Sequence, residues 1–385
     1  MQRALTFFIL TSLSALRIGT AQEKNELRVE RREVAYRNGG SVHRLYFLYP
    51  EQSTAEVAFD QPIDGNGSRT LRVHFKVEKD TPGSTWFVEL VGAHGAAKWT
   101  STEGDRLRGE FWSGEIDGDH ADAVLHVLGK TRNVQIQIDQ YAVTGIETKP
   151  QSITTKREDI KPILDQPDDI QKLGRSIARI RFIGADGGRY FCTGFLVASN
   201  VLMTNEHCFS SPQEATSALV DFDFDAPASK PKTAGVSKLL WNNFNLDYAL
   251  AALSAVPDEH PPLRLAVGSI QEGKNLMVIE HPEGQFKQVS IINCMISNGS
   301  HVSGRGPGKT DFSHSCNTMG GSSGSAIWDR NSGEVIGLHH FGFREGADKP
   351  SNQAIDMGEI LEDVYAHDPN VYWSFAIANP KHPKR

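Results

Sequence analysis

Between residues 25 and 147 the chain alternates apolar and polar positions in short runs. The period of two predicts strands over 44–48, 55–59, 71–77, 86–91, 123–127 and 134–138. Clusters of Gly, Asp, Asn and Pro at 64–67 and 81–83 punctuate them, and no helical period intervenes. An antiparallel β-sandwich is the expected arrangement. Between 148 and 173 the pattern breaks: Pro150, Pro162 and Pro167 fall among Lys, Glu, Asp and Gln. That stretch reads as a linker or propeptide strap that buries little, with one short helix at 168–172, and cleavage within it would release the part that follows. From Ser176 strands resume at 177–182, then in the apolar stretches 195–198 and 201–203 that lead to His207, and at 239–241, 275–279, 289–292, 325–328 and 335–338, with helical character only near 354–365. Short strands joined by turns over this length suit a pair of packed β-barrels, so the whole chain is expected to be all-β.

Composition narrows the setting. In 385 residues, 39% hydrophobic content is enough for two cores, and a net charge of −7 with scattered Lys and Arg argues against a nucleic-acid or anionic-membrane partner. Residues 1–21 carry an early Arg3, an apolar stretch over 4–16 and the small residues Gly19-Thr20-Ala21, the pattern of a signal peptide too short to span a membrane. A secreted or periplasmic, monomeric protein is expected. In that setting Cys192, Cys208, Cys294 and Cys316 read as two disulfides. Three pairings are formally open. The pairing 192–208 with 294–316 is preferred, because its first bridge would bracket the turn presenting His207. Asn66 and Asn298 each begin a glycosylation sequon, which matters only in a eukaryotic host.

Candidate chemistry is concentrated in the second half. Thr318-Met319-Gly320-Gly321-Ser322-Ser323-Gly324-Ser325-Ala326 displays serines among small residues just before an apolar run, where a carbonyl can approach backbone N–H groups closely. Upstream stand Thr204-Asn205-Glu206-His207-Cys208 and Leu246-Asp247-Tyr248-Ala249-Leu250. A hydroxyl nucleophile needs an imidazole to take its proton and a buried carboxylate to fix the imidazole's tautomer. Asp221, Asp223 and Asp225 are rival acids, but their alternation with Phe222 and Phe224 places them on a solvated strand face. In the N-terminal half, His43, His74, His94, His120 and His126 have unrelated spacings and read as solvated strand residues. Trp86, Trp99 and Trp112 read as core or edge packing, with an aromatic binding face for a protein or carbohydrate ligand as the alternative.

These motifs, with Cys192-Thr193-Gly194-Phe195-Leu196 ahead of them, resemble those of the chymotrypsin-like serine proteases, in the family's order and at compact, bacterial-type spacing. The resemblance spans about 174–345 and leaves the first 150 residues unassigned. It implies a double β-barrel over 174–370, a tail at 371–385, and a polypeptide substrate. It further implies Ser323 as nucleophile, His207 as general base, Asp247 as its orienting acid, and the N–H groups of Gly321 and Ser323 as an oxyanion hole. Two positions depart from the trypsin pattern. Ser322 replaces the aspartate that pairs with a cleaved N-terminus, and Asn317 replaces the pocket carboxylate that selects Lys or Arg. Thr318 and His339 are instead similar to the residues with which glutamyl endopeptidases hold a Glu side chain, protonation of His339 adding charge. Two other readings stand beside this one: an α/β-hydrolase elbow using Ser322 as nucleophile, and a protease-like binding protein without activity. No metal or organic cofactor is implied.

Overall fold

The computed structural model describes residues 36–37, 41–48, 59–64, 70–80, 85–92, 98–118, 120–128, 134–143, 157–185, 187–341 and 351–377. The 1–21 segment, the Asn66 sequon, His94, the turn at 81–83, residues 148–156 of the expected linker and the last eight residues lie outside them.

Residues 177–253 close into a barrel. Strands Ile177–Ile183, Arg189–Ala198, Val201–Thr204, Leu219–Phe222, Lys232–Asn243 and Tyr248–Leu253 pair antiparallel in a ring, closed by the pairing of Arg189–Ala198 with Val201–Thr204. A second ring runs through Gln288–Ser290, Leu276–Glu280, Ala326–Asp329, Glu334–Phe341, Asn352–Asp356 and Asp311–His314, and bridges at Met295 and Ile296 draw its edges together. The strands are apolar on both faces because each face has a separate job. Leu276 and Val278 fill the second barrel's interior, whereas Met277 and Ile279 join Phe195, Met203 and Leu250 in a core between the barrels. Two antiparallel barrels packed on a shared core are the expected double-barrel arrangement, and the described residues are mostly β.

The N-terminal half holds two antiparallel sheets of five and four strands that share one apolar core, including Phe75, Ile136, Val88 and Leu125. Trp86 is buried in that core and Trp99 stacks on Phe75, so both pack. The half is firmly joined to the first barrel. Strand Tyr36–Arg37 adds to the barrel edge beside Phe191 and Tyr190, and the buried Arg72 donates to the Ser217 carbonyl at 2.7 Å. Glu115 is gripped by Arg181 and Arg189.

Several expectations are corrected. Of the strand expected at 55–59, only Phe59 is described, and it opens the strand Phe59–Asp64. The strand expected at 289–292 is Gln288–Ser290, and Ile292 lies exposed beyond it. The strap does bury side chains over its described part. Ile160–Pro162 pairs with Gln288–Ser290, Ile163 is fully buried, and helix Asp168–Gly174 lays Ile170 and Leu173 on the inter-barrel core. Two isoleucines and a leucine outweigh the surrounding charge. Asp221 is not solvated: its carboxylate is fully buried between Arg179 and Arg181, at 2.8 and 2.7 Å. His74 is also buried, 2.6 Å from Asp139. The late helix runs Met357–His367, later than expected because 352–356 completes the second barrel. The expected tail includes helix Pro369–Ser374, whose Tyr372 packs into the inter-barrel core.

Candidate active site

The first barrel supplies the imidazole and its carboxylate. Strand Val201–Thr204 ends at a tight turn whose backbone Cys208 N–H donates to the Asn205 carbonyl at 3.2 Å, and this turn carries His207. The Cys192–Cys208 bridge pins the turn to the neighbouring strand, and Cys294–Cys316 forms the second disulfide, as the preferred pairing has it. Asp247 stands just before strand Tyr248–Leu253 with a left-handed backbone, φ 48°. The Asn205 amide holds its carbonyl at 2.9 Å. The Asp247 carboxylate accepts from the His207 backbone N–H at 3.0 Å and meets His207 Nδ1 at 3.1 and 2.9 Å.

This contact decides the tautomer. An ionised carboxylate only accepts, so Nδ1 carries the proton and Nε2 keeps its lone pair. His207 Nε2 is buried with no hydrogen-bond partner. Burial opposes the charge on Asp247, but His207, His340 and Arg305 outweigh it and hold the carboxyl well below its ordinary range.

The second barrel supplies the serine turn. Gly321 and Gly324 have φ of 91° and 86°, open to glycine at little cost. A Cβ at Gly324 would stand 2.1 Å from the Thr193 carbonyl, and one at Gly321 2.9 Å from the His281 carbonyl. The Ser323 carbonyl accepts from Thr193 N–H at 2.8 Å, and Thr204 Oγ1 donates to the Thr193 carbonyl at 2.8 Å. Thr193 therefore ties the turn bearing Ser323 to the strand leading to His207. Ser323 itself is 3% exposed.

Two peptide planes in the turn are fixed by their carbonyls. The Gly320 carbonyl accepts from Glu283 N–H at 2.5 Å, and the Ser322 carbonyl from the Ser325 hydroxyl at 2.6 Å. In a trans peptide the following N–H points the opposite way, so those of Gly321 and Ser323 face away from these partners. Ser322 is turned inward: it is fully buried and its Oγ accepts from Met319 N–H at 3.1 Å. That orientation disfavours the elbow reading, which needs Ser322 displayed.

His339, Asn317 and Thr318 are all buried beside this turn. Gly324 N–H donates to the His339 carbonyl and His339 N–H to the Ser325 carbonyl, each at 2.9 Å. His339 Nδ1 is 3.2 Å from His314 Nε2, a partner that sequence reading missed. Burial, together with the neighbouring His314 and His340, pushes the His339 pKa far down. The expected protonation of His339 is thereby opposed. Sequence reading also missed Arg305, His340, Asp311 and Glu206 around Asp247. The His339-His340 doublet was the one visible signal, since adjacent strand residues point to opposite faces.

Among the described residues Cys192, His207 and Cys208 are the group spaced for a metal ion, but both sulfurs are spent in the disulfide.

A secreted RxLR effector protein of Plasmopara viticola is 28% identical over 46% of this chain and 46% of its own length. Protein y4fB of Sinorhizobium fredii is 28% identical over 44% of this chain and 27% of its own. The chain thus spans less than half the length of these curated relatives. Among solved structures, the active form of the Rv3671c protease of M. tuberculosis is similar at 18% identity and a TM-score of 0.43, over 62% of this chain and 96% of that one. Residues 192–338, the part that carries His207, Asp247 and Ser323, match the family model of the trypsin-like peptidase domain.

Proposed function

We propose that the chain is a serine endopeptidase, exported by its N-terminal segment, with Ser323 as nucleophile. The observation that carries this reading is the buried His207–Asp247 pair, whose tautomer leaves Nε2 basic, held through Thr193 to the serine turn. His207 Nε2 would take the Ser323 hydroxyl proton as Oγ bonds the substrate carbonyl carbon. The oxyanion would be met by the N–H groups of Gly321 and Ser323, each such donor contributing about 3 kcal/mol. The imidazolium, balanced by Asp247, then returns its proton to the departing amine as the C–N bond breaks. Water repeats the sequence to release the acyl group from Ser323. The family match over 192–338 supports the peptidase class.

For the substrate, the reading is a preference for Glu or Asp before the scissile bond. Asn317, Thr318 and His339 offer neutral donors. Where His314 Nε2 is the donor to its Nδ1, His339 keeps its proton on Nε2, which can be given to a carboxylate. The N-terminal sheets would serve a protein or carbohydrate ligand. Fluorophosphonate labelling tests the enzyme: it should vanish in Ser323→Ala and persist in Ser322→Ala. An unlabelled but folded unaltered protein sinks the enzyme reading in favour of a binding protein. A peptide-library profile with cleavage after Lys or aromatic residues and none after Glu sinks the specificity.

A further inference from the structure

The second barrel reaches back to Asp247. Its loop Ser303-Gly304-Arg305-Gly306 is threaded through a narrow gap: a Cβ at Gly304 would stand 2.3 Å from Asp311 Oδ1, and one at Gly306 2.7 Å from Asn245 Cβ. Between them the Arg305 side chain, 8% exposed, lies over the Phe244 ring at 4.3 Å. It donates through Nη1 to Asp247 Oδ1 at 2.6 Å and to Glu206 Oε2 at 3.0 Å. On the other carboxylate oxygen, His340 Nδ1 stands 3.2 Å from Asp247 Oδ2, while His340 Nε2 meets Asp311 Oδ2 at 2.6 Å. Each Asp247 oxygen thus carries one group from the second barrel in addition to His207.

We infer that Arg305 and His340 are positioning residues that hold Asp247 in place across the barrel seam and, by drawing on its charge, set how strongly it stabilises the His207 imidazolium. The inference rests on the proposed roles of His207, Asp247 and Ser323. Burial disfavours a charge on His340, but Asp311 and Asp247 outweigh it and raise its pKa to about 9, so it is cationic at neutral pH. Asp247, Asp311 and Glu206 then face Arg305 and His340, with His339 adjacent and neutral. One negative charge remains uncompensated, and the imidazolium formed on proton transfer neutralises it. Removing either cation leaves a second uncompensated negative charge near His207, which favours the imidazolium and makes the base available only at higher pH.

The test is the acidic limb of the kcat/KM–pH profile of the full chain on a cleavable peptide, with melting curves to confirm folding. Arg305→Gln and His340→Asn should each move the limb to higher pH by about one unit. Arg305→Lys, which keeps the charge, should leave it within about 0.3 unit. Either neutral variant, folded and active but slowed equally at every pH with the limb unmoved, overturns the inference and leaves scaffolding. If the unaltered chain shows no Ser323-dependent hydrolysis, the functional reading fails and takes the inference with it. An unmoved limb in an active variant overturns the inference alone.

Discussion

Glu280 ends strand Leu276–Glu280 on the face that Leu276 and Val278 turn into the second barrel. It is fully buried, and neither carboxyl oxygen has a hydrogen-bond partner. Burial raises its pKa from 4.5 to about 8, which the nearby Ser322 side chain offsets only in part. Ser322 adjoins Ser323, and the next residues, 281–284, brace Gly320 and Gly321, so this acid lies directly behind the serine turn. Between pH 4.5 and 8 the unfolded chain releases the proton while the native chain keeps it, so the native state binds more protons and stability falls as pH rises. The slope is about 1.4 kcal/mol per pH unit, or up to about 4 kcal/mol between pH 4.5 and 7.5. Glu280→Gln removes the titration and should remove that slope. The assay is urea unfolding at pH 4.5, 6 and 7.5, comparing variant and unaltered protein at each pH so that the fixed cost of seating an amide cancels. The stability difference should swing toward the variant by several kcal/mol as pH rises. A difference constant within about 0.5 kcal/mol would mean that Glu280 titrates normally, and the account of a neutral acid behind the turn would be refuted.

Asp221→Asn should cost about 3–5 kcal/mol at pH 7 in chemical unfolding, because Arg179 and Arg181 are left facing each other without their shared carboxylate. The Asp221 pKa is lowered to about 2, burial being outweighed by the two arginines. Its contribution is therefore present above about pH 4 and lost as pH falls toward 2, so the variant should unfold over a shallower acid range. Replacing Cys192 and Cys208 together by Ala opens a loop of 16 residues and should lower stability by about 3 kcal/mol in denaturant titration. Gly324→Ala puts a methyl against the Thr193 carbonyl at a left-handed φ and should slow fluorophosphonate labelling about 100-fold while circular dichroism stays native. Labelling at the unaltered rate would show that the turn tolerates the shift.

The sequence favoured one of three cysteine pairings without fixing it, and by itself determined the strand-rich character of both halves and the candidate imidazole, carboxylate and hydroxyl. Each is written locally: a period of two, glycines where φ must be positive, and an acid flanked by apolar residues at 246–250. Alternation could not say which face meets solvent, and that is why Asp221 was misread. Its strand turns that side chain toward two arginines of the neighbouring strand, a pairing decided by register. The strap at 157–173 was misjudged for a related reason, since Ile160 and Ile163 look isolated until the edge strand Gln288–Ser290 stands beside them. Only the tertiary structure brought Arg305 and His340 onto Asp247, and set Glu280 behind Ser322. These residues come from strands and loops far apart in the chain, and their charges mean little until barrel closure removes water and fixes their distances.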